Sequence, residues 1–296
     1  MKTERQSGIM AAHMTLDGGH AVPGAAGGGR KRRSPWFQYR KSVSTPAAIA
    51  LGISAWVIFF GLWELAVPMG WVSELLMPGP QQVLAALYDM IVNRGFLNDV
   101  GISIYRVLLS FAAACLFAVP LGILMGAFSS VAAFFNPFVS AWRYLPAPSF
   151  IPILLMWFGT GEAPKLALLF VGVVWFLVTL VMDHTRGVRG ELIETAQTLG
   201  GNRRQILRTV VIPAVMPQVV TAMRQMLAVS WTYLVIAEIV ASTNGIGAVM
   251  MRAKRFIHTD EIIAGIVVIG ILGLLFDYLL RKAHRLLFPY LEEHGR

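Results

Sequence analysis

Charge is scarce in this chain of 296 residues. Asp, Glu, Lys and Arg make up 14% of it, where a soluble globular domain carries roughly 25%. That shortage excludes disorder of the whole chain and a charged coiled coil. The single cysteine, Cys115, excludes an internal disulfide and a cysteine metal site, and its place in an apolar run makes it a small core hydrophobe. A Gly-rich phosphate loop ending in Gly-Lys-Ser/Thr is absent, as are a His-Glu-x-x-His pair and a Gly-x-Ser-x-Gly elbow. The six histidines are scattered, mostly outside the apolar runs, so neither a catalytic residue nor a metal site is expected.

Apolar residues, in contrast, make up 56% of the chain, and the mean hydropathy is +0.64. The fold expected is an all-α integral membrane protein of about six transmembrane helices. The net charge of +9 would suggest nucleic acid on a soluble protein. Here the basic residues flank hydrophobic runs and set orientation instead, so no nucleic-acid partner is expected.

Residues 1–46 are rich in Gly, Ala and charge, contain Arg30-Lys31-Arg32-Arg33, and read as a disordered basic cytoplasmic tail. Residues 47–99 hold the first span, Ala47 to Met69, and an external amphipathic segment with Val83, Leu84, Leu87, Met90 and Ile91 at helical spacing. The first span reaches the length of about 20 residues that a bilayer needs and exceeds a signal-peptide core. Residues 100–290 form the transmembrane domain, and 291–296 a cytoplasmic C-terminus. The further spans run from about Ile102 to Phe128, Phe134 to Phe158, Lys165 to Met182, Ala214 to Ala241 and Ile262 to Leu280. Pro137, Pro146, Pro148 and Pro152 should kink the third span, which lipid tolerates only where protein or a cavity satisfies the freed carbonyls. Lys and Arg at the span ends place both termini in the cytoplasm, with Arg252-Lys254-Arg255 as an exception on the outer side.

Between Asp183 and Pro213 lies the longest polar stretch between spans. Leu192, Ile193, Ala196 and Leu199 share one helical face; Gly200-Gly201 stops that helix. Asn202 can cap a second, basic helix that Pro213 ends. Periodicity alone fits an amphipathic connector on anionic lipid as well as a docking element for another protein.

Glu194-Thr195-Ala196, then Gly200, then Val210-Val211-Ile212-Pro213 after nine residues, resemble the EAA signature of permease subunits of bacterial ABC importers. That signature reads Glu-Ala-Ala, three residues, Gly, nine residues, Ile-x-Leu-Pro; Thr195, Val210 and Ile212 depart from it conservatively. Leu145-Pro146-Ala147-Pro148 through Ile151-Pro152, Trp157 to Glu162, Ala237-Glu238 and Gly245-Ile246-Gly247 resemble the nitrate, sulfonate, taurine and bicarbonate branch. The resemblance runs from about Met77 to Tyr290. It implies the permease fold of type I ABC importers, a homodimer forming the pathway, two ATP-binding subunits that bind ATP and Mg, and a periplasmic or lipid-anchored solute-binding protein. This chain would bind no cofactor and lie in the bacterial inner membrane. The coupling helix falls near residues 191–201, with Glu194, Thr195, Ala196 and Gly200 docking the ATPase and Arg203 and Arg204 flanking; those two arginines fit positive-inside topology equally well.

A charge at the bilayer centre costs roughly 2.5–3.5 kcal/mol on insertion scales and so faces protein or water. Arg143 and Tyr144 in the third span, and Ser230, Tyr233 and Glu238 in the fifth, are the pathway or gate candidates; for Arg143 and Glu238 the alternative is a structural ion pair or a helix-end hydrogen bond. Glu64, Arg106 and Arg224 are read as able to snorkel to an interface. Trp63, Trp71, Trp142, Trp157 and Trp175 are read as interfacial belt residues. The branch implies a small polar solute, usually an anion; a permease for a neutral or cationic nitrogen compound, and a secondary transporter, stay open.

Overall fold

The computed structural model describes residues 43–290, so the tail expected over 1–46 and the end over 291–296 lie almost wholly outside the described residues. The chain divides after Ser54 into two units. Every regular element among the described residues is helical: α1 (Thr45–Ala66), α2 (Pro80–Asn93), α3 (Phe96–Ala127), α4 (Ser129–Arg143), α5 (Ile151–Phe158), α6 (Ala163–Arg186), α7 (Gly190–Thr198), α8 (Arg203–Ile206), α9 (Ile212–Ala241), α10 (Ile246–Arg255) and α11 (Thr259–Leu287). Within the first unit the described helical residues, from Thr45 to Ser54, are exposed or half-buried.

Among the described residues five helices are long and apolar enough to cross a membrane: α1, α3, α6, the run from Arg203 through α9, and α11. The third expected span is broken rather than kinked. Pro146 precedes and Pro148 lies within a 3-10 turn at Ala147–Phe150, leaving α4 and α5 in series. At 1.5 Å per residue these reach about 22 Å and about 12 Å, so neither alone crosses a core of about 30 Å. Aromatic contacts hold the broken segment on α6: Trp142 stacks on Phe150 at 5.5 Å, and Trp175 lies 5.7 Å from Trp142 and 5.3 Å from Phe138. Trp142 and Trp175 thus pack the broken segment against α6.

The core is a layer of α3, α6 and α9. Val107, Ala114, Ala118 and Met125 of α3 meet Leu169, Val174, Leu177, Val178 and Val181 of α6, and Val215, Val219, Ala222 and Leu234 of α9 complete it. Small residues set the spacing. A Cβ on Gly122 would lie 2.7 Å from the Cβ of Val181 and 2.8 Å from the carbonyl oxygen of Val178, so only glycine permits this approach of α3 to α6. The amphipathic segment is α2, with Val83 and Met90 buried against the chain, Leu84 exposed, and Arg94 just beyond it bridging Asp89 at 2.8 Å and Glu261 of α11 at 2.7 Å.

Pro213 does not end its helix, as its missing donor had suggested. A π turn at Leu207–Val211 absorbs the mismatch, and Arg203 to Val240 continues as one run of 38 residues. α8 and the fifth span are thereby one continuous helical run.

Replacing Gly122 by Ala should destabilise the protein by about 1–3 kcal/mol through overpacking, and lower Tm by several degrees. Gly61→Ala on α1, where a Cβ meets nothing within 4 Å, should leave Tm unchanged or raise it. Thermal unfolding of both variants in detergent checks the contrast.

Candidate functional site

Two features stand out from the packed bundle. The first is the module between α6 and α9. Glycine at 200 takes φ of +82°, where a side chain is strained, and the amides of Gly200 and Gly201 donate to the carbonyls of Gln197 and Ala196, each at 2.9 Å. Asn202 then caps α8: its side chain accepts from the amide of Gln205 at 3.0 Å, and the Gln205 side chain accepts from the amide of Asn202 at 3.0 Å. The hydroxyls of Thr195 and Thr198 donate to their own helix, so rigidity here is local. Glu194, Thr195, Gly200, Arg203 and Arg204 are exposed and Ala196 is half-buried. The apolar face expected for α7 is divided: Ile193 and Ala196 turn inward, while Leu192 and Leu199 are 45% and 83% exposed. No residue of α7 is buried, so this helix is supported from one side only.

The second feature is a closed polar network at the opposite end of α3. Arg106, 1% exposed, forks both carboxylate oxygens of Glu162 through Nε and Nη2 at 2.7 Å each, and donates from Nη1 to Glu238 at 2.7 Å and the Asn244 carbonyl at 2.8 Å. Glu238, fully buried, also accepts from Ser103 Oγ at 2.8 and 3.0 Å and from the amide of Gly247 at 2.8 Å. Ser103 in turn accepts from the amide of Ile246 at 3.0 Å, Asp99 from Gly245 at 2.6 Å, and Lys165 donates to Glu162 at 2.9 Å. Two cations meet two anions.

This network explains the glycines of Gly245-Ile246-Gly247. Gly245 has φ of +105°, and a Cβ there would clash with the Glu238 carboxylate and lie 2.7 Å from Arg106 Nη1; one on Gly247 would lie 2.7 Å from the Cβ of Glu238. Arg106 does not snorkel, as the sequence reading had allowed; it is the centre. Its signal was a guanidinium in an apolar run, and its partners stood 56 and 132 residues away.

Among the pathway candidates, Glu238 is held by this network and Ser230 is 1% exposed and donates to the Met226 carbonyl. Tyr233 lies over Gly172 of α6. All three turn into the chain rather than toward an open passage. Tyr144 is 78% exposed, and Arg143 lies 5.5 Å from its ring centroid, far from Glu238's partners. Glu162 sits outside the spans. Hydrogen bonds from Arg106 foremost, and also from Lys165, hold its carboxyl down to about 2 although burial opposes them.

A family profile described as "Binding-protein-dependent transport system inner membrane component" matches residues 118–292. The taurine transport system permease protein TauC of Escherichia coli (strain K12) is 32% identical over 270 residues, covering 90% of this chain and 96% of that protein. A putative aliphatic sulfonates transport permease protein, SsuC of Bacillus subtilis (strain 168), is 29% identical over 88% of this chain and 90% of its own length. The nitrate import permease protein NrtB of Synechocystis sp. is 28% identical over 88% and 95%. An inward-facing structure of the MetNI methionine ABC transporter shares the fold with a TM-score of 0.58 at 20% identity, over 64% of this chain and 94% of that one.

Arg106→Met leaves two carboxylates uncompensated and should destabilise the protein by about 3–5 kcal/mol, read as a collapse of Tm or of folded yield. A pH series separates Glu162. Its pKa is lowered on folding, so its contribution is full above its ordinary value of 4.5 and is lost as pH falls toward about 2. The Tm gap between wild type and Glu162→Gln should therefore be widest above pH 4.5 and close toward pH 2; a gap independent of pH would show that the ion pair contributes nothing.

Proposed function

Because the chain belongs to the family of binding-protein-dependent transport system inner membrane components, we propose that it works as the permease of an ATP-driven ABC importer, two copies forming the pathway for a small oxyanion such as a sulfonate, taurine or nitrate. Membership makes it a multi-pass inner membrane protein and a transmembrane component, not itself catalytic. ATP and Mg belong to two separate ATP-binding subunits, and a binding protein delivers solute at the outer face. Both termini and α7 lie in the cytoplasm.

The observation that carries this reading is the capped α7 module. Leu192 and Leu199 are uncovered beside exposed Glu194, and the turn at Gly200 is locally rigid, so the surface suits a groove on a partner. Since the helix from Arg203 runs on into α9 without a break, closure of the ATPase pair can move the fifth span directly. The taurine, sulfonate and nitrate names of the relatives support the solute class. The carboxylate that would have favoured a cation, Glu238, is already paired with Arg106. The same pairing removes the mid-span carboxylate that a proton-coupled secondary transporter would use.

Glu194→Lys should insert and fold almost normally, since Glu194 is exposed; Gly200→Asp has room for its Cβ but strains the backbone at φ of +82°, costing about 1–2 kcal/mol while still inserting and folding. Either should lower ATP-driven uptake at least tenfold and weaken copurification of the ATP-binding subunit. Normal uptake and assembly in both would remove the docking role.

A further inference from the structure

The exposed side of α9 is polar where the exposed sides of its neighbours are not. Between Ala214 and Glu238 only four residues of α9 are exposed: Gln218, Gln225, Ala228 and Thr232. Gln218, Gln225 and Thr232 are seven residues apart, so they stand in one line, about 21 Å long at 1.5 Å per residue. The corresponding faces elsewhere suit lipid: Leu108, Leu109, Leu116 and Phe117 on α3, and Ile271, Leu274 and Leu275 on α11. The Gln218 amide donates back to the carbonyls of Ala214 and Val215, but the Gln225 amide and the Thr232 hydroxyl would lack hydrogen bonds in hydrocarbon, so this face suits water, solute or protein.

The hydroxyl of Thr232 is free in a way that its counterparts are not. Thr179, Thr185, Thr195, Thr198, Thr209 and Thr221 each donate to the carbonyl four residues back, whereas Thr232 and Gln225 make no hydrogen bond among the described residues. Beside Thr232 a groove of about 510 Å³ opens between α9 and α11, walled by Ile236, Ile269, Gly270 and Gly273. Trp231 also lines it, and its buried indole N–H has no acceptor. One exposed and unused donor, the Thr232 hydroxyl, thus adjoins an apolar recess large enough for a small solute.

We propose that the Gln218, Gln225 and Thr232 face of α9 is the surface along which the solute passes, and that the groove beside Thr232 is a transient site for an oxyanion-headed solute carrying a short apolar chain, such as an alkanesulfonate. This rests on the permease reading above and adds the contact surface. The Thr232 hydroxyl suits a sulfonate oxygen, and the apolar walls suit the alkyl chain. No charged side chain lines the recess. The grip is therefore weak, as a transit site requires: favourable enough to enter, loose enough to leave. The gating face of α9 is opposite to the one carrying Ser230 and Glu238.

The test uses the assembled importer, with its ATP-binding subunit and binding protein, in liposomes. Single cysteines replace Gln218, Gln225, Thr232 and, as a lipid-facing control, Leu274, in a Cys115→Ala parent. The probe is the membrane-impermeant reagent 2-sulfonatoethyl methanethiosulfonate. The three cysteines on α9 should react at least tenfold faster than Leu274→Cys in at least one nucleotide state, and ethanesulfonate should slow the reaction at Thr232→Cys. Thr232→Val should lower ethanesulfonate uptake at least fivefold, and Thr232→Ser should restore it. Labelling no faster than at Leu274→Cys, or no protection at Thr232→Cys, overturns the assignment; the first result would mark the face as a protein seam. Uptake by the Cys115→Ala parent that continues without ATP removes the permease premise instead, whereas ATP-driven uptake with an unreactive α9 face removes only the assignment.

Discussion

A guanidinium cannot be left unpaired between apolar helices, and the arrangement around Arg106 follows from that constraint. Satisfying it brings Glu162 from the start of α6, Glu238 from α9 and the Asn244 carbonyl from the turn before α10 to one point on α3. Each carboxylate arrives with further donors: Lys165 on Glu162, Ser103 and Gly247 on Glu238. An ion pair in low dielectric stabilises little over a well-packed apolar core, because desolvation offsets most of the attraction. What such a network fixes is position. Gly245 and Gly247 have no freedom to change, and the end of α9 is tied to α3 and α6 rather than left to slide.

The two ends of α9 are therefore held differently. At one end Glu238 anchors it in a closed, charge-balanced network. At the other it continues through the π turn into α8 and the turn at Gly200, and α7 beyond that turn is supported on one side only. A force applied at α7 meets little local packing and a stiff helix behind it, whereas the far end is pinned. Such an element tilts about the anchored end. Small residues along α3 and α6 keep the bundle behind it close-packed, so the displacement is not absorbed by slack.

How much of this was legible depended on the range of the interaction concerned. The spans followed from runs of apolar residues, and the module followed from short-range chemistry: Gly200 adopts the left-handed backbone that a helix stop requires, and Asn202 and Gln205 form their cap within four residues. The third span misled because four prolines were weighed as kinks, whereas two of them, Pro146 and Pro148, start a 3-10 turn that separates α4 from α5. Pro213 misled in the other direction, since a π turn lets a helix continue past a missing donor. Arg106 was visible as an anomaly without visible partners, because Glu162 and Glu238 are brought to it only by tertiary packing. The same limit hid which side of α9 is open. Ser230, Tyr233 and Glu238 have the polarity of a passage, but α3 and α6 cover that side.

The polarity of α9 can be divided on physical grounds. A polar group in a spanning helix needs hydrogen bonds, and its choice of partner assigns its role. Glu238 and Ser230 find theirs inside the chain, so their exposure to a solute would first require the network to open and leave Arg106 short of a partner. Gln225 and Thr232 have none, so contact with a solute or water relieves a deficit instead of creating one. Partnered groups on the buried face thus position the helix, and unpartnered groups on the open face meet what moves past it. On the reading proposed above, a recess lined by no charged side chain would leave discrimination between solutes of one charge class to size and hydrogen bonding.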